Sequence, residues 1–549
     1  MPPRRTPSNR LSIGWPTALL LTLLLLLGGC AALPPRGEAV VSQALPTEAA
    51  AATPLGGIAT LSRPADAAGA SGFRLLPTGE YALEARLALA ARATRTLDLQ
   101  IYHLHRDRAG RAVLRALAEA AARGVRVRLL ADDFYAAEVE DLLAGLAAHD
   151  GVEVRLFNPM SLRWGAPVWR LALSRGDFEL NNHRMHNKLF VADGAMALFG
   201  GRNVADEYYM GSDEANFIDM DVLGAGAVVG ELSAVFDRYW NSAQAWPLQR
   251  VRPVAHGAED RAQARRSFDA AVRDAPLPRA PYARDPLGHG PVGAQLAAGR
   301  LEGLAWAEAR VHADPPEKAA QATPGRDPSE AMAGLMRAMA TTRRYVAIVS
   351  PYFVPNEAAL ANMREARRHG IHLIVVTNSL ASTDEPLVHA SYALRRPELL
   401  KMGVELYEIS PALISRSEHF GVFGRSVPRL HAKVAIVDGL RVLVGSVNLD
   451  ARSAIGNTEM GVVIDSPQLA TELQRLMQAP GAHATDGTSA RPPAVAMYRV
   501  SLAEDGQTLR WQARDADGQG ITTTDEPGSS AWLRFKLWLQ SLVVPERLL

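Results

Sequence analysis

The sequence predicts an α/β protein of two similar domains, each with a mostly parallel central sheet and helices on both faces. Short apolar segments with strand character alternate with amphipathic helical segments, which is typical of parallel sheets covered by helices. The same order of segments, closed by the same polar pattern, occurs twice in the 549 residues. A chain of this length is also too long for one hydrophobic core, so more than one domain is expected.

In the first half, three strands alternate with two helices. LDLQIYHL at 97–104 predicts a strand, and GRAVLRALAEAAARG at 110–124 predicts a helix, because its apolar residues recur at helical spacing and a glycine ends it. VRVRLLADD at 125–133 predicts the next strand. A helix over 138–147 and the strand VEVRLF at 152–157 follow.

The second half repeats this order. YVAIVSPYFVP at 345–355 predicts a strand, and EAALANMREARRHG at 357–370 predicts a helix that ends on glycine. IHLIVVTN at 371–378 is the next predicted strand. A helix over 386–400 and the strand VELYEIS at 404–410 complete the series.

A polar motif of histidine, lysine and aspartate follows each series, in the spacing H-x-K-x-x-x-x-D. The first copy consists of His186, Lys188 and Asp193, and the second copy consists of His431, Lys433 and Asp438. Each residue lies 245 positions from its counterpart. A single copy is most often an ordinary strand with two polar residues on its wet face, but a second copy in a matching half argues strongly against that interpretation.

Further polar residues follow both copies at related positions. Asn203 and Asn448 each end the next apolar run, and Asp219 and Glu459 lie further downstream. Ser446 lies two residues before the second asparagine. The two asparagines and this serine are the candidate contacts to phosphate. In the first copy the equivalent position is a glycine at 201, so one such hydroxyl contact is expected to be missing.

These residue types suit chemistry on a phosphodiester. Residues two apart on a strand face the same side, so each histidine projects beside its lysine, and the aspartate falls in the next turn. If the halves face each other, two lysines and two asparagines can hold the non-bridging oxygens. One histidine can attack phosphorus, and the other can act as acid and then as base. Asp219 or Glu459 could orient a ring, and neither a metal nor another cofactor is needed.

The N-terminus predicts a bacterial lipoprotein signal. A basic flank precedes an apolar run that is short for a membrane span, and the LGGC that follows resembles a lipobox ending at Cys30. Cys30 is the only cysteine, which excludes an intramolecular disulfide and a cysteine-based metal site. We expect a lipid-modified protein of the cell envelope that faces the periplasm, on either the inner or the outer membrane. The alternative is an uncleaved anchor with an incidental cysteine.

Composition shifts divide the chain into six predicted segments. They are a signal peptide at 1–30, a flexible tether at 31–72, a first domain at 73–247, a linker with additions to the domains at 248–330, a second domain at 331–480, and a C-terminal extension at 481–549. The extension includes the amphipathic segment 532–545, which either packs on its own domain or lies on a membrane surface.

The paired motif resembles the phospholipase D superfamily, whose members carry two HKD motifs. Across about 72–464, stretches such as TNSLASTDEPLVHASY and GSVNLDARSAIGNTEMGVVID are similar to bacterial cardiolipin synthases of the C-type branch. The resemblance implies two phospholipase D-like domains related by pseudo-twofold symmetry, with the active site at their interface.

The resemblance also implies a reaction. Phosphatidylglycerol would lose glycerol and leave a phosphatidyl-histidine, which the headgroup of a second phosphatidylglycerol or of a phosphatidylethanolamine would attack to give cardiolipin. The implied nucleophile is His186 and the implied acid and base is His431, although the sequence alone does not order them. A membrane surface is an expected partner, and a helper protein remains open.

Three other functions compete with this interpretation. A phospholipase D would use the same residues but would admit water in place of the second lipid. A nuclease of the superfamily is less consistent with a net charge of +1, which provides no overall field to attract nucleic acid. A non-catalytic lipid-binding protein is disfavoured by the complete set of motif residues. Other polar residues near predicted strand ends line the cleft or are structural: Tyr102, His103, Asp132, Tyr352, Asn378 and His389.

Overall fold

The computed structural model describes residues 33–162, 181–252, 257–273, 283–321, 329–414, 423–477, 497–514 and 519–530, together with Trp532, Leu533 and Phe535. The predicted lipidation site Cys30 and most of the predicted C-terminal helix lie outside these residues. Among the helices of the described ranges, none has the length and apolar character needed to span a membrane.

The described residues form two series of strands. The first comprises β1 (Ser71–Leu76), β2 (Thr96–Ile101), β3 (Arg126–Asp132), β4 (Val152–Phe157), β5 (Leu189–Ala192), β6 (Met196–Gly200), β7 (Ala215–Ile218), β8 (Asp221–Ala225) and β9 (Ala245–Pro247). The second comprises β10 (Ala305–Ala313), β11 (Tyr345–Val349), β12 (His372–Asn378), β13 (Glu405–Ile409), β14 (Val427–Leu430), β15 (Val434–Val437), β16 (Arg441–Gly445), β17 (Met460–Asp465), β18 (Met497–Leu502), β19 (Leu509–Arg514) and β20 (Gly520–Thr523).

The two halves have the same strand order, which confirms the predicted repeat of one α/β unit. The first sheet runs β9-β4-β3-β2-β5-β6-β8-β1, and the second runs β18-β13-β12-β11-β15-β16-β17-β10. Within these two sheets, parallel pairing is limited to β2-β3-β4 and to β11-β12-β13. The other pairs are antiparallel, because hairpins such as β5-β6 and β15-β16 have turns too short for a parallel crossover. Each sheet is therefore mixed, with its parallel strands on one side.

Strand β10 joins the two sheets into one. Its residues 305–307 pair with β1 of the first half, and its residues 308–313 pair with β17 of the second half. The result is a continuous sheet of 18 strands among the described residues. The segment predicted as a linker at 248–330 thus contributes a strand that belongs to both halves.

Helices cover both faces of the sheets, as the predicted fold class requires. In chain order they are α1 (Thr47–Ala51), α2 (Pro54–Ser62), α3 (Gly79–Arg92), α4 (Arg108–Ala122), α5 (Asp133–Ala136), α6 (Glu140–Leu146), α7 (Ala227–Trp240), α8 (Leu248–Val251), α9 (Ala258–Arg273), α10 (Val292–Ala297), α11 (Glu330–Met339), α12 (Glu357–Arg368), α13 (Pro386–Lys401), α14 (Pro411–Ile414) and α15 (Pro467–Met477).

Three hydrophobic cores hold these layers together. Helices α3, α4 and α6 pack on the outer face of the first sheet, and α11, α12 and α13 pack on the outer face of the second. Helices α7 and α15 share one core with strands from both halves. The two halves are therefore joined by a common apolar interior, and the site described below lies where their inner edges meet.

Helix α4 illustrates how local sequence defines an element. The side chain of Asp107 accepts a hydrogen bond from the Gly110 N–H and caps the helix, which therefore begins before the glycine at which the sequence pattern placed its start. A side chain at Gly110 would meet the His105 carbonyl oxygen at 1.7 Å from its Cβ, so this turn requires glycine. Leu114 and Leu117 are fully buried, and each such burial stabilises the fold by roughly 1.5–3 kcal/mol.

Candidate active site

The two motif histidines lie at the interface of the halves, and the backbone of the opposite half holds each of them. The His186 N–H donates to the Thr458 carbonyl at 2.9 Å, and the His431 N–H donates to the Ile218 carbonyl at 2.8 Å. Strand β14, which leads to His431, pairs in parallel with β7, and Met185 forms the corresponding bridge with Thr458. Both rings are thereby brought into one interface.

A carboxylate from the opposite half contacts each imidazole. His186 Nδ1 lies 3.0 Å from Glu459 Oε2, and His431 Nδ1 lies 2.6 Å from Asp219 Oδ2. Since an ionised carboxylate only accepts hydrogen bonds, we assign the proton of each neutral ring to Nδ1. This tautomer leaves the lone pair of each Nε2 atom available for chemistry.

The two motif lysines are buried beside the rings. Lys188 Nζ donates to the His186 carbonyl at 2.6 Å, and Lys433 Nζ donates to the His431 carbonyl at 2.5 Å. Burial lowers the pKa of Lys433 to about 8 and lowers the pKa of Lys188 well below its ordinary value. Each ammonium also lowers the pKa of the histidine in the other motif copy, so the two copies share one electrostatic site.

Burial keeps both rings neutral near neutral pH in the free protein. It lowers the pKa of His186 to about 4 and that of His431 to about 3, and the facing carboxylates oppose this shift. Although burial favours the protonated form of Asp219, the nearby His431 and Lys433 hold the pKa of Asp219 at about 2. Glu459 likewise has a pKa below its ordinary value, because His186 and Lys188 outweigh its burial. Both carboxylates are therefore ionised acceptors.

The Ser446 hydroxyl is bonded to a carboxylate, whereas the sequence predicted a contact to phosphate. The side chain is fully buried, and its hydroxyl donates to Glu459 Oε2. Ser453 donates to the other oxygen of Glu459 at 2.7 Å. In the first half, a Cβ at Gly201 would come within 2.1 Å of Asp219 Oδ1, so the carboxylate occupies the space that a serine would need. The two differences between the halves therefore occur together: the first half has a glycine beside an aspartate, and the second half has a serine beside a glutamate.

The two asparagines lie close to the histidine environments without touching the rings. Asn203 Nδ2 donates to the Tyr208 hydroxyl at 2.9 Å, and the Tyr208 ring meets the His431 ring edge-on at 5.2 Å. The Asn448 N–H donates to Ser453 Oγ at 3.2 Å. Asn448 Oδ1 is buried and has no hydrogen-bond partner in the described parts of the chain.

The motif aspartates lie at the other ends of their strands, which corrects their grouping with the catalytic residues. Asp193 and Asp438 follow β5 and β15 in turns with φ of 53° and 54°. The Asp193 carboxylate accepts from the backbone N–H groups of 94–96, and the Asp438 carboxylate accepts from those of 343–345. Each aspartate therefore fixes its strand to the start of a neighbouring strand.

Two residues at the ends of β3 and β12 position the histidine segments. Asp132 Oδ2 accepts from the Met185 N–H at 2.8 Å, and Asn378 Oδ1 accepts from the Leu430 N–H at 2.8 Å. In both halves the bonded residue immediately precedes the motif histidine. Their position at strand ends was a signal in the sequence, but it did not distinguish a positioning role from a cleft-lining role.

A second positioning pair had no signal in the sequence. Asp314 Oδ2 accepts from the Glu459 N–H at 3.1 Å and from Lys318 Nζ at 2.9 Å. Lys318 Nζ also donates to the carbonyls of Ser453 at 2.9 Å and Asn457 at 2.5 Å. Because these two residues lie in the weakly patterned segment between the halves, only the three-dimensional structure relates them to the carboxylate that holds His186.

No cluster of three or more His, Cys, Asp or Glu side chains suited to a metal ion occurs among the described residues.

A known protein family matches both halves of the chain. The family described as "Cardiolipin synthase, PLD-like domain" matches residues 87–240 and 335–479, which include both motif copies. The chain is also 38% identical to Cardiolipin synthase C of Escherichia coli over 474 residues, covering 85% of this chain and 94% of that protein. The chain belongs to the phospholipase D-like cardiolipin synthase family.

Weaker similarities cover most of the chain. Cardiolipin synthase A of Pseudomonas entomophila is 26% identical over 411 residues, which cover 74% of this chain and 67% of that protein. Among solved structures, the phosphatidylserine synthase of Haemophilus influenzae aligns with a TM-score of 0.49 and 12% identity, covering 83% of this chain and 90% of that chain. The predicted resemblance to the C-type cardiolipin synthases is confirmed by the 38% identity.

Proposed function

We propose that the chain is a phosphatidyltransferase that forms cardiolipin, with phosphatidylglycerol as the phosphatidyl donor and a second phospholipid headgroup as the acceptor. One observation carries this proposal: each motif histidine contacts a carboxylate of the opposite half, and a buried lysine of the same motif accompanies each histidine. The 38% identity to Cardiolipin synthase C of Escherichia coli supports the choice of reaction.

In the first step, His186 attacks the phosphorus of phosphatidylglycerol through the lone pair of Nε2. A P–N bond forms and the P–O bond to the glycerol headgroup breaks, while His431 gives the leaving oxygen a proton from Nε2. The products are a phosphatidyl-histidine and free glycerol. The phosphodiester anion between the two lysines favours the protonated form of His431, whose pKa is low in the free protein because of burial and of these same lysines.

In the second step, a hydroxyl of the second lipid headgroup attacks the phosphatidyl-histidine. His431 now accepts the hydroxyl proton, a P–O bond forms, and the P–N bond to His186 breaks. Cardiolipin leaves, and both rings return to their starting protonation states. Lys188 and Lys433 stabilise the negative charge on the non-bridging oxygens in both steps.

The hydrogen bonds of the two rings support this division of roles, whereas in the free protein the pKa of His431 (about 3) lies below that of His186 (about 4), so the bound phosphodiester anion must raise it. Asp219 contacts His431 at 2.6 Å, which favours the protonated ring that an acid must supply. The carboxylate of Glu459 also accepts from Ser446 and Ser453, which draws part of its charge away from His186. A neutral ring is the form that a nucleophile requires, so His186 suits that role.

A product assay tests the proposal. The purified chain, added to vesicles of phosphatidylglycerol, is expected to form cardiolipin and glycerol. His186→Ala is expected to abolish both products, and His431→Ala to reduce both strongly. Formation of phosphatidic acid without cardiolipin would instead assign a phospholipase D, and nicking of plasmid DNA that is lost in His186→Ala would assign a nuclease.

A further inference from the structure

The arginine that precedes each motif histidine by two residues has a different environment in the two halves. Arg184 and Arg429 are equivalent by sequence, and so are the strand-end residues Asp132 and Asn378, which hold the following residue of each segment. One half therefore has a carboxylate where the other half has a neutral amide.

In the first half, the carboxylate and three carbonyls give each of the three guanidinium nitrogens of the arginine a hydrogen-bond partner. Arg184 Nε donates to Asp132 Oδ1 at 2.8 Å, with both side chains fully buried. Its Nη2 atom donates to the Asn158 carbonyl at 2.9 Å and the Phe157 carbonyl at 3.2 Å, and its Nη1 atom donates to the Asn181 carbonyl at 3.1 Å. This arginine has a structural role.

In the second half, the amide leaves the equivalent arginine without that partner. Asn378 uses both ends of its side chain on Leu430, accepting from its N–H at 2.8 Å and donating to its carbonyl at 2.9 Å. Arg429 Nε is buried and has no hydrogen-bond partner among the described residues. A buried guanidinium nitrogen without a partner is costly, and a bound anion would relieve that cost.

Arg429 lies beside the reacting centre but not at it. It lies on β14, two residues before His431, which follows that strand, and its strand partner Phe217 has its ring 5.0 Å from that of His431. Its positive charge acts on Glu207 and Asp384, where it opposes the rise in pKa that burial causes. The charges that dominate at His431 are instead those of the two motif lysines and Asp219.

We propose that Arg429 binds the phosphate of the second phospholipid, the one whose headgroup attacks the phosphatidyl-histidine. This inference rests on the proposed transfer reaction. The acceptor carries its own phosphodiester, one headgroup away from the attacking hydroxyl, and the two lysines already hold the phosphate that is being transferred. A guanidinium provides the planar pair of donors that suits a second phosphate.

The test compares two acceptors that share one intermediate. Phosphatidylglycerol vesicles are incubated with the full chain and radiolabelled glycerol, and both cardiolipin and labelled phosphatidylglycerol are measured. Glycerol has no phosphate, so we expect Arg429→Gln to lower the ratio of cardiolipin to labelled phosphatidylglycerol about tenfold or more. Arg425→Gln removes the same charge from an exposed position four residues away and is expected to leave the ratio within about twofold.

A second variant tests the pairing argument without removing the guanidinium. Asn378→Asp gives Arg429 the carboxylate that its counterpart has, and is expected to lower the same ratio severalfold. An unchanged ratio in folded Arg429→Gln, or an equal fall of both products, would overturn the role of Arg429 while leaving the transfer reaction intact. A wild-type chain that makes neither product would contradict the proposed function and this inference with it.

Discussion

At the scale of single residues, the site depends on side chains that act in pairs from opposite halves. His186 relies on Glu459 and His431 relies on Asp219, and each contact crosses the interface. The carboxylates fix the proton of each ring on Nδ1 and leave the lone pair of Nε2 available for the proposed reaction. Loss of one carboxylate should therefore alter chemistry more than substrate binding.

Asp219→Asn tests this dependence. An amide preserves the shape of the side chain but can present a donor to Nδ1, which favours the wrong tautomer of His431. We expect kcat for cardiolipin formation to fall at least about 100-fold, with KM changed by less than about threefold. Asp213→Asn, the same change at an exposed position, serves as the control. A variant that retains more than a third of the wild-type kcat would contradict the orienting role.

Lys433 should give the reaction a basic limit near pH 8. Burial lowers its pKa to about 8, so the free enzyme carries this ammonium below that pH and loses it above. We expect kcat/KM to fall about tenfold per pH unit above about 8 in a profile measured from pH 6 to 10. In Lys433→Arg, whose guanidinium stays charged, the part of the fall that Lys433 causes should disappear, and the basic fall that remains belongs to Lys188, whose pKa is also lowered. A wild-type profile that stays flat to pH 10 would refute the assignment.

At the scale of elements, the carboxylates of the motif aspartates connect neighbouring strands through hydrogen bonds. Asp193 ties the end of β5 to the start of β2, and Asp438 ties the end of β15 to the start of β11, through three backbone N–H groups in each case. The left-handed turn at each aspartate is what directs its carboxylate at those groups.

Asp193→Asn should consequently affect stability rather than chemistry. The substitution weakens the acceptor for three N–H groups, and we expect the free energy of unfolding to fall by about 1–3 kcal/mol. The kcat of the folded fraction should stay within about threefold of wild type, which differs from the large loss expected for His186→Ala. Denaturant unfolding and steady-state kinetics on the same preparation measure both quantities. A 100-fold loss of kcat with unchanged stability would restore Asp193 to the catalytic group.

The sequence predicted those features that local pattern and repetition encode. Periodicity located the alternating strands and helices, and the repeat identified both histidines and both lysines. The sequence could not show that β7 pairs with β14, so it could not assign each carboxylate to the histidine of the opposite half. The Asp314–Lys318 pair was missed for the same reason, because its target Glu459 is distant in the chain. The predicted family is confirmed by the family model and by the 38% identity.

At the scale of the whole molecule, one sheet and one shared core unite the halves. Strand β10 pairs with both sheets, and helices α7 and α15 pack in the same interior. Within the predicted linker, β10 is thus part of the folded body. The proposed substrates are lipids, so the predicted lipid attachment of this unit to a membrane has a direct experimental test.

Cys30→Ser tests the proposed lipid attachment. If the thiol at Cys30 receives the lipid, the variant should shift from the membrane fraction to the soluble fraction of the cell envelope, because an acylated anchor supplies most of the membrane affinity. Fractionation with detection by an antibody, and metabolic labelling with a fatty acid, measure the change. Cardiolipin formation on added vesicles should persist in the purified variant. Unaltered fractionation of the variant, together with absent labelling of the wild-type chain, would favour an uncleaved anchor.

The crossed carboxylates also constrain how such a gene can evolve. A chimaera that joins the first half of this enzyme to the second half of a distant relative would inherit each histidine from one parent and its carboxylate from the other. Each carboxylate would keep the glycine or serine beside it, because both lie in the same half, but it would face a histidine from the other parent. Recombination within the linker would therefore disturb both catalytic rings at once, and the two halves should descend as a linked pair.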